Sequence, residues 1–316
     1  MEQSNISVLV TGGAGFIGSH LVEELVKRGY RVRVLDNLMR SSLSNIKPLI
    51  DTGKVEFING DIRHENVVSE VMKGIDYVFH EAAVCINRSV VYPKESLDIN
   101  LNGSCNIFNS ALENKVKKVI FASSASVYGN PQKLPMSEND SLNPITPYCI
   151  AKLASEFLLK YFSEKGLNYA ILRYFNVYGP RQNIDAYYTS VIITFVKRLL
   201  NNQSPVIIGN GKQSMDFINV KDVVKANILA MSSNITNETF NVGSGNSTSI
   251  ADLANILIKI LNIDVKPEFI KKDVIVKERR ADISKIKSIL NFTPKVGLEE
   301  GLIELVEDIK SYPEKY

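Results

Sequence analysis

The 316-residue chain has only three cysteines, Cys85, Cys105 and Cys149, and they form no Cys-x-x-Cys pair and have no histidine at metal-ligand spacing. Neither a disulfide framework nor a zinc site is indicated, and the simple expectation is a reduced protein without a bound metal. Long apolar runs are missing too: none reaches the roughly 18 residues that a membrane span needs. The chain enters a β-rich run at Ile6 without a basic segment or apolar leader before it, so a cytoplasmic protein with no membrane partner is expected. Excess charge of one sign is also absent. With 37 basic and 34 acidic residues, a net charge of +3 gives no reason to expect nucleic acid as a partner. The basic residues are scattered apart from Lys115-Val-Lys-Lys118 and Lys271-Lys272, which read as solvated helix ends or loops. No internal repeat or low-complexity segment is visible.

What is present is an ordinary globular composition, 45% hydrophobic and 22% charged, in a chain long enough for one large domain or two smaller ones. The first half alternates β-rich runs with helical patterns: Ile6-Ser-Val-Leu-Val10, Arg31–Asp36, Val55–Asp61, Tyr77–His80, Val119–Ser123 and Tyr169–Arg173. This alternation predicts an α/β fold with a doubly wound parallel sheet, right-handed crossovers, and ligands at the carboxyl ends of the strands. Past about Phe175 the pattern loosens into a loop-rich region punctuated by Pro180, Pro205, Gly209-Asn-Gly211 and Pro267. A helix over Val220–Met231 and a strand over Phe240–Gly243 return to the sheet. The expected division is therefore a first domain of residues 1–176 and about 220–246, and a smaller, discontinuous one of about 177–219 and 247–316.

Between the first strand and the amphipathic segment after it lies Thr11-Gly-Gly-Ala-Gly-Phe-Ile-Gly18. Glycines at 12, 15 and 18 allow a tight strand-to-helix turn whose bare amides, with the helix dipole, suit a diphosphate. A plain glycine-rich turn is the bland alternative. Asp36 ends the second run, where a carboxylate can accept from both ribose hydroxyls of an adenosine and repel a 2′-phosphate, favouring NAD over NADP. A turn or N-cap role is its alternative, as it is for Asp61-Ile62, a weaker candidate for the adenine edge.

Tyr148 and Lys152 are i and i+4 on a predicted helix that follows Pro147, within reach of one ligand. A free tyrosine, with a pKa of about 10, is rarely ionised at neutral pH. A neighbouring ammonium and a cationic nicotinamide favour the phenolate and make it a usable base. Without context such a pair is an ordinary surface pair. The context is Ser123-Ser-Ala-Ser-Val-Tyr-Gly129 at a strand's carboxyl end, where a serine hydroxyl can meet the oxygen that Tyr148 deprotonates.

Taken with Arg173-Tyr-Phe-Asn-Val-Tyr-Gly-Pro180, these motifs resemble the extended short-chain dehydrogenase/reductases, and within them the nucleotide-sugar 4-epimerases of the UDP-galactose 4-epimerase type. The resemblance runs from Ile6 to about Ile309 and includes Ala281-Asp-Ile-Ser-Lys285 and Pro294-Lys-Val-Gly-Leu-Glu-Glu-Gly301. It implies Ser124, Tyr148 and Lys152 as the catalytic trio. It implies an NAD site of Gly12, Gly15, Phe16, Ile17, Gly18, Asp36, Asn37, Asp61, Ile62, Ala82, Ala83, Asn100 and Ser123, reaching Tyr148 and Lys152. Asn176 is implied for the sugar diphosphate, with Tyr188 to Val191 and Val206 to Ile208 lining the nucleotide pocket. Relatives commonly carry an arginine just before Asp216 that grips a phosphate, where this chain has Met215. Methionine makes no charge-assisted contact, so the diphosphate is expected to lean on Arg279 and Arg280, with Arg181 and Arg88 as weaker candidates.

The expected reaction is 4-epimerisation of a nucleotide-diphospho sugar, UDP-linked by preference, through a 4-keto intermediate with recycled NAD. A 4,6-dehydratase, a 4-ketoreductase and a non-catalytic NAD-binding protein remain as alternatives. Related dehydratases place Asp-Glu where this chain has Ala125-Ser126. Apolar residues on more than one face of the helices predicted over Pro93–Asn114 and Tyr148–Lys165 suggest a homodimer.

Overall fold

The computed structural model describes residues 5–182, 190–272 and 278–316. Each β-rich run of the first half forms a strand: β1 (Ser7–Thr11), β2 (Arg31–Asp36), β3 (Val55–Asn59), β4 (Tyr77–His80), β5 (Lys118–Ser124) and β6 (Tyr169–Tyr174). Between them lie α1 (Phe16–Lys27), α2 (Lys47–Asp51), α3 (Glu65–Met72), α4 (Ile86–Val91), α5 (Pro93–Leu97), α6 (Ser104–Glu113) and α7 (Pro147–Ser163). Beyond β6 the strands are β7 (Asn176–Tyr178), β8 (Val206–Ile208), β9 (Ser214–Met215), β10 (Phe217–Asn219) and β11 (Glu238–Val242). The helix α8 (Val191–Leu200) precedes β8, and α9 (Val220–Ser232) precedes β11. They are followed by β12 (Thr248–Ser249), α10 (Ile250–Leu261), β13 (Glu268–Ile270), α11 (Ser284–Leu290) and α12 (Leu298–Ser311).

Seven strands form one parallel sheet in the order β11-β6-β5-β4-β1-β2-β3, in agreement with the doubly wound sheet expected from the sequence. Winding proceeds outwards from β1 through β2 to β3, then crosses back to β4 and continues the other way. The crevice outside the ends of β1 and β4 is therefore the switch point where this architecture holds ligands. Both faces are covered, which is why the strands read as near-continuous apolar runs. Val8 and Val10 face one layer with Leu21 and Leu25 of α1 and Ile228 of α9. Leu9 faces the other, with Ile107 and Phe108 of α6 and Leu159 and Phe162 of α7. A separate apolar cluster joins Phe195 of α8, Phe217 of β10, Leu253 and Leu257 of α10, and Leu302 and Leu305 of α12.

Two local expectations are corrected. The helix predicted over Pro93–Asn114 is interrupted by a wider π-type stretch over Asp98–Gly103, which separates α5 from α6. Lys118 is not solvated: it is 3% exposed, and its ammonium donates to the carbonyls of Ala230, Ser233 and Ile235 at 2.6–3.0 Å. Carbonyls at and beyond a helix's C-terminus lack intrahelical partners and carry the negative end of its dipole, so a lysine satisfies both at once. Among the described residues no helix is long and apolar enough to cross a membrane.

Candidate active site

The turn after β1 is shaped by what would collide there. Gly12 has φ +69°, and a Cβ on it would lie 2.8 Å from the backbone of Ala82; one on Gly18 would lie 2.2 Å from the Gly12 carbonyl oxygen. Glycine is the residue that permits both approaches. α1 then starts at Gly15 without a side-chain cap, so its first amides are not satisfied by a side chain. These glycines, with Phe16 and Ile17, line a cavity of about 430 Å³ that extends from Asp36, Asn37, Asp61 and Ile62 past Ala82 and Ala83 to Ser123, Ser124, Tyr148 and Lys152.

At one end Asp36 is buried and already accepts from the backbone of Ala14 (3.0 Å) and Leu38 (2.9 Å) and from the Ser41 hydroxyl (2.7 Å). A carboxylate offers about four acceptor positions, so one remains on Oδ2, the oxygen bonded to Ala14. Asp61 receives Asn37 Nδ2 at 2.8 Å and both a side-chain nitrogen pair and the amide of Arg63, and these bonds hold its carboxyl well below the usual range.

At the other end α7 begins with Thr146, whose hydroxyl accepts from the Cys149 amide, followed by Pro147 in the first turn. That start puts Tyr148 and Lys152 one turn apart, with the ammonium 5.9 Å from the tyrosine ring centroid. Lys152 Nζ donates to the Ala122 carbonyl at 2.7 Å. Burial lowers its pKa to about 8, against the opposing pull of Glu81 and Glu156. Ser124 Oγ accepts from the Ser126 amide (3.2 Å) and hydroxyl (2.9 Å), so its own proton is available to a ligand oxygen. Below these groups, Arg173 grips Glu156 through Nε (3.0 Å) and Nη2 (2.6 Å), and Ser123 donates to the same carboxylate.

On the facing wall the cavity meets Asn176 and Arg279. Asn176 Nδ2 donates to the Asp216 carbonyl at 3.1 Å. The Asp216 carboxylate accepts from Ser244, Gly245 and Ala281, so it pins three chain segments together. Among the described residues the Arg279 side chain donates one bond, from Nη2 to the Gly129 carbonyl at 3.3 Å, and its Nε is buried without a partner. Of the other cations, Arg181 is held by Glu23 at 2.7 Å and Arg88 by Glu95 at 2.7 Å.

Several implied positions do not reach the cavity. Asn100 is fully buried in the π-type stretch, where it brackets Val84 through both backbone groups, so it shapes the wall from behind. Arg280, Val191, Val206 and Ile208 are not part of the cavity lining; Val206 and Ile208 lie on β8, paired with β13. Tyr188 lies outside the described residues. Conversely, the cavity includes Tyr174 and Gln182, which sequence reasoning does not place there, and Glu81, which the sequence offers only as an acid near the site. Glu81 and Tyr174 stand at the ends of β4 and β6, a position that could have marked them. Gln182 is 4% exposed, and its Nε2 donates to the Val177 carbonyl at 3.1 Å, leaving Oε1 unpartnered among the described residues.

A parallel sheet, a glycine turn opening onto a bare helix start, and a carboxylate at the end of β2 define a dinucleotide-binding enzyme. The chain belongs to the NAD dependent epimerase/dehydratase family, whose model matches residues 8–243. It is 39% identical to a putative UDP-glucose 4-epimerase of Methanocaldococcus jannaschii over 96% of this chain and 98% of that protein. It is 35% identical to a UDP-N-acetyl-alpha-D-glucosaminuronate decarboxylase of Bacillus cytotoxicus over 95% of this chain and 96% of that one. The structure of UDP-glucose 4-epimerase from Thermotoga maritima, solved with UDP-glucose, superposes with a TM-score of 0.91 at 37% identity, covering 98% of this chain and 100% of that one. NAD is thus the cofactor, and the open glycine turn with its uncapped helix start fits a dinucleotide diphosphate.

Proposed function

We propose that the protein is an NAD-dependent 4-epimerase of a nucleotide-diphospho sugar, acting on a UDP-hexose or UDP-N-acetylhexosamine. Relatives divide among epimerases, decarboxylases and a dehydratase, so likeness alone does not choose the reaction. The observation that carries the choice is the meeting of Ser124, Tyr148 and Lys152 at one end of the cavity, with Ala125 and Ser126 at the positions where a dehydratase needs an acid pair.

In this reading the Ser124 hydroxyl donates to O4 of the sugar and orients it. Tyr148 takes the proton of the 4-hydroxyl, and the Lys152 ammonium one turn away lowers the energy of the phenolate. Positioned proton transfer of this kind contributes about 10²–10⁴-fold. When bound, NAD supplies the two-electron chemistry at C4, accepting a hydride and returning it. The 4-keto sugar turns over in the cavity, and Tyr148 returns the proton to O4 once the configuration is inverted.

Arg279 is the cation for the sugar diphosphate in place of the arginine that Met215 replaces, because its Nε is buried and unpartnered beside the cavity. Asn176 stands beside it. The nucleoside extends towards Val191, Val206 and Ile208. Support for that direction comes from two hydrogen bonds: the Arg279 amide donates to the Ser214 carbonyl, and Nε2 of the neighbouring Gln213 donates to the Ile208 carbonyl. The cofactor domain comprises residues 1–176 and about 220–246, and the sugar-nucleotide domain about 177–219 and 247–316; the separate apolar cluster around α8, α10 and α12 supports this division. The enzyme is a cytoplasmic homodimer. An outer row of Ile150, Phe157 and Tyr161 on α7, each about half exposed, continues onto Val90 and Val91 of α4 and supplies the self-associating face. Sedimentation as a monomer at micromolar concentration would overturn the dimer.

Incubating the purified protein separately with UDP-glucose, UDP-N-acetylglucosamine and UDP-glucuronate, without added cofactor, tests the reaction. NMR is expected to show a C4-inverted product and no net NADH. A 4-keto-6-deoxy product, a decarboxylated pentose or no product from any of the three sinks the reading.

A further inference from the structure

Lys152 is 2% exposed; among the described residues its ammonium makes one hydrogen bond, to the Ala122 carbonyl, and lies 4.8 Å over the Phe121 ring. An ammonium so deeply placed sheds its proton unless a negative charge stands nearby. Glu156, also on α7, adds to the pull on Lys152, but its charge is paired with Arg173 of β6 and Ser123 of β5 donates to it. His80 on β4 is buried against Thr11 and Ser104, and burial holds its pKa near 3, so it is uncharged. Tyr174 at the end of β6 is a phenol that burial pushes well above its ordinary pKa. Arg279, across the cavity, is a cation. The remaining acid is Glu81, the residue directly after β4. Tyr174 donates to its Oε1 at 2.8 Å, and Asn227 of α9 donates to the Tyr174 oxygen at 2.7 Å. Three elements thus hold a carboxyl group on the wall of the cavity that Tyr148 and Lys152 also line.

We propose that Glu81 is a positioning residue for the Tyr148–Lys152 pair, a carboxylate fixed through Tyr174 and Asn227 that keeps Lys152 an ammonium. For its part in the reaction this rests on the epimerase reading; the charge relation does not. Burial raises the Glu81 carboxyl to about 7 and lowers Lys152 to about 8, each charge opposing the other's shift. Glu81 gains its charge as pH rises through about 7, and Lys152 loses its charge as pH rises through about 8, so both are charged between. Removing the carboxylate lets Lys152 lose its proton at lower pH.

The test uses the NAD-loaded protein and Glu81→Gln, which keeps an oxygen for Tyr174 and removes the charge. Isotope-edited NMR of the lysine side chains, with Lys152 identified by its absence in Lys152→Met, reads the ammonium without turnover. Its titration and the basic limb of kcat are both expected to move down by about one pH unit, with KM for the sugar nucleotide unchanged. Glu81→Asp, which retains the charge, is expected to keep the parental limb. Tyr174→Phe, which removes the anchor alone, is expected to shift Lys152 in the same direction by less. An unmoved Lys152 titration in both Glu81→Gln and Tyr174→Phe overturns the proposal, as does a loss of kcat without a shifted limb. If the parental protein forms no C4 epimer while Lys152 still shifts in Glu81→Gln, the epimerase reading falls and the charge relation stands.

Discussion

The two walls of the cavity treat their polar groups in opposite ways. On the wall built by the ends of β1 to β3, Asp36 and Asp61 each accept at least three hydrogen bonds from their own chain. On the facing wall Gln182 Oε1 and Arg279 Nε are buried with no partner among the described residues, and Arg280 Nε and Gln213 Oε1, outside the lining, are in the same condition. A buried polar atom without a partner is a stability cost of about 1–3 kcal/mol that folding alone does not recover. The first wall is finished by folding; the second leaves polar atoms for the proposed substrate to complete.

The contrast can be broken most severely at Gly18. Gly18→Ala sets a methyl 2.2 Å from the Gly12 carbonyl oxygen, and the purified protein is expected to carry no NAD, as read by cofactor release and absorbance. Tyr148→Phe is expected to lower kcat by about 10²–10⁴-fold while NAD remains bound, separating chemistry from cofactor retention; full activity would refute the role of the phenol. Glu156→Gln leaves Arg173 without its buried counter-charge, and denaturant unfolding is expected to show a loss of about 3–5 kcal/mol. Arg279→Gln sharpens the comparison from the other side. It is expected to raise KM for the sugar nucleotide by about 10–100-fold, the worth of a hydrogen bond to a charged group, with stability and NAD content unchanged; a destabilised variant with parental KM would place Arg279 among the structural groups. The mildest effect is that of pH. As pH rises through about 8, Lys152 loses its proton and turnover is expected to fall, half-maximal near that value in a kcat profile.

Legibility in the sequence follows the same divide. The first wall comes from contiguous signals: β-branched runs mark the strands, the glycine spacing marks the turn, Asp36 ends a run, and the i, i+4 spacing of Tyr148 and Lys152 survives in one dimension. The second wall is assembled from segments far apart in the chain, so Arg279 could be suspected but Gln182 could not. Glu81 meets Tyr174 across 93 residues and Tyr174 meets Asn227 across 53, contacts that only the strand order creates. Lys118 was misread for the same reason, since its carbonyl partners lie 112 to 117 residues away. Asn100 shows a subtler limit: its burial follows from a π-type stretch that apolar periodicity does not announce.

The place of β11 has a consequence for biosynthesis. It completes the sheet by pairing Glu238 with Ala170 and Val242 with Tyr174, after the chain has travelled through β7, α8, β10 and α9. Until that stretch leaves the ribosome, β6, whose every residue is buried in the finished protein, is a bare apolar edge. A released chain truncated after Tyr178 presents that edge to any other extended strand, and its solubility suffers for want of residues 238–242.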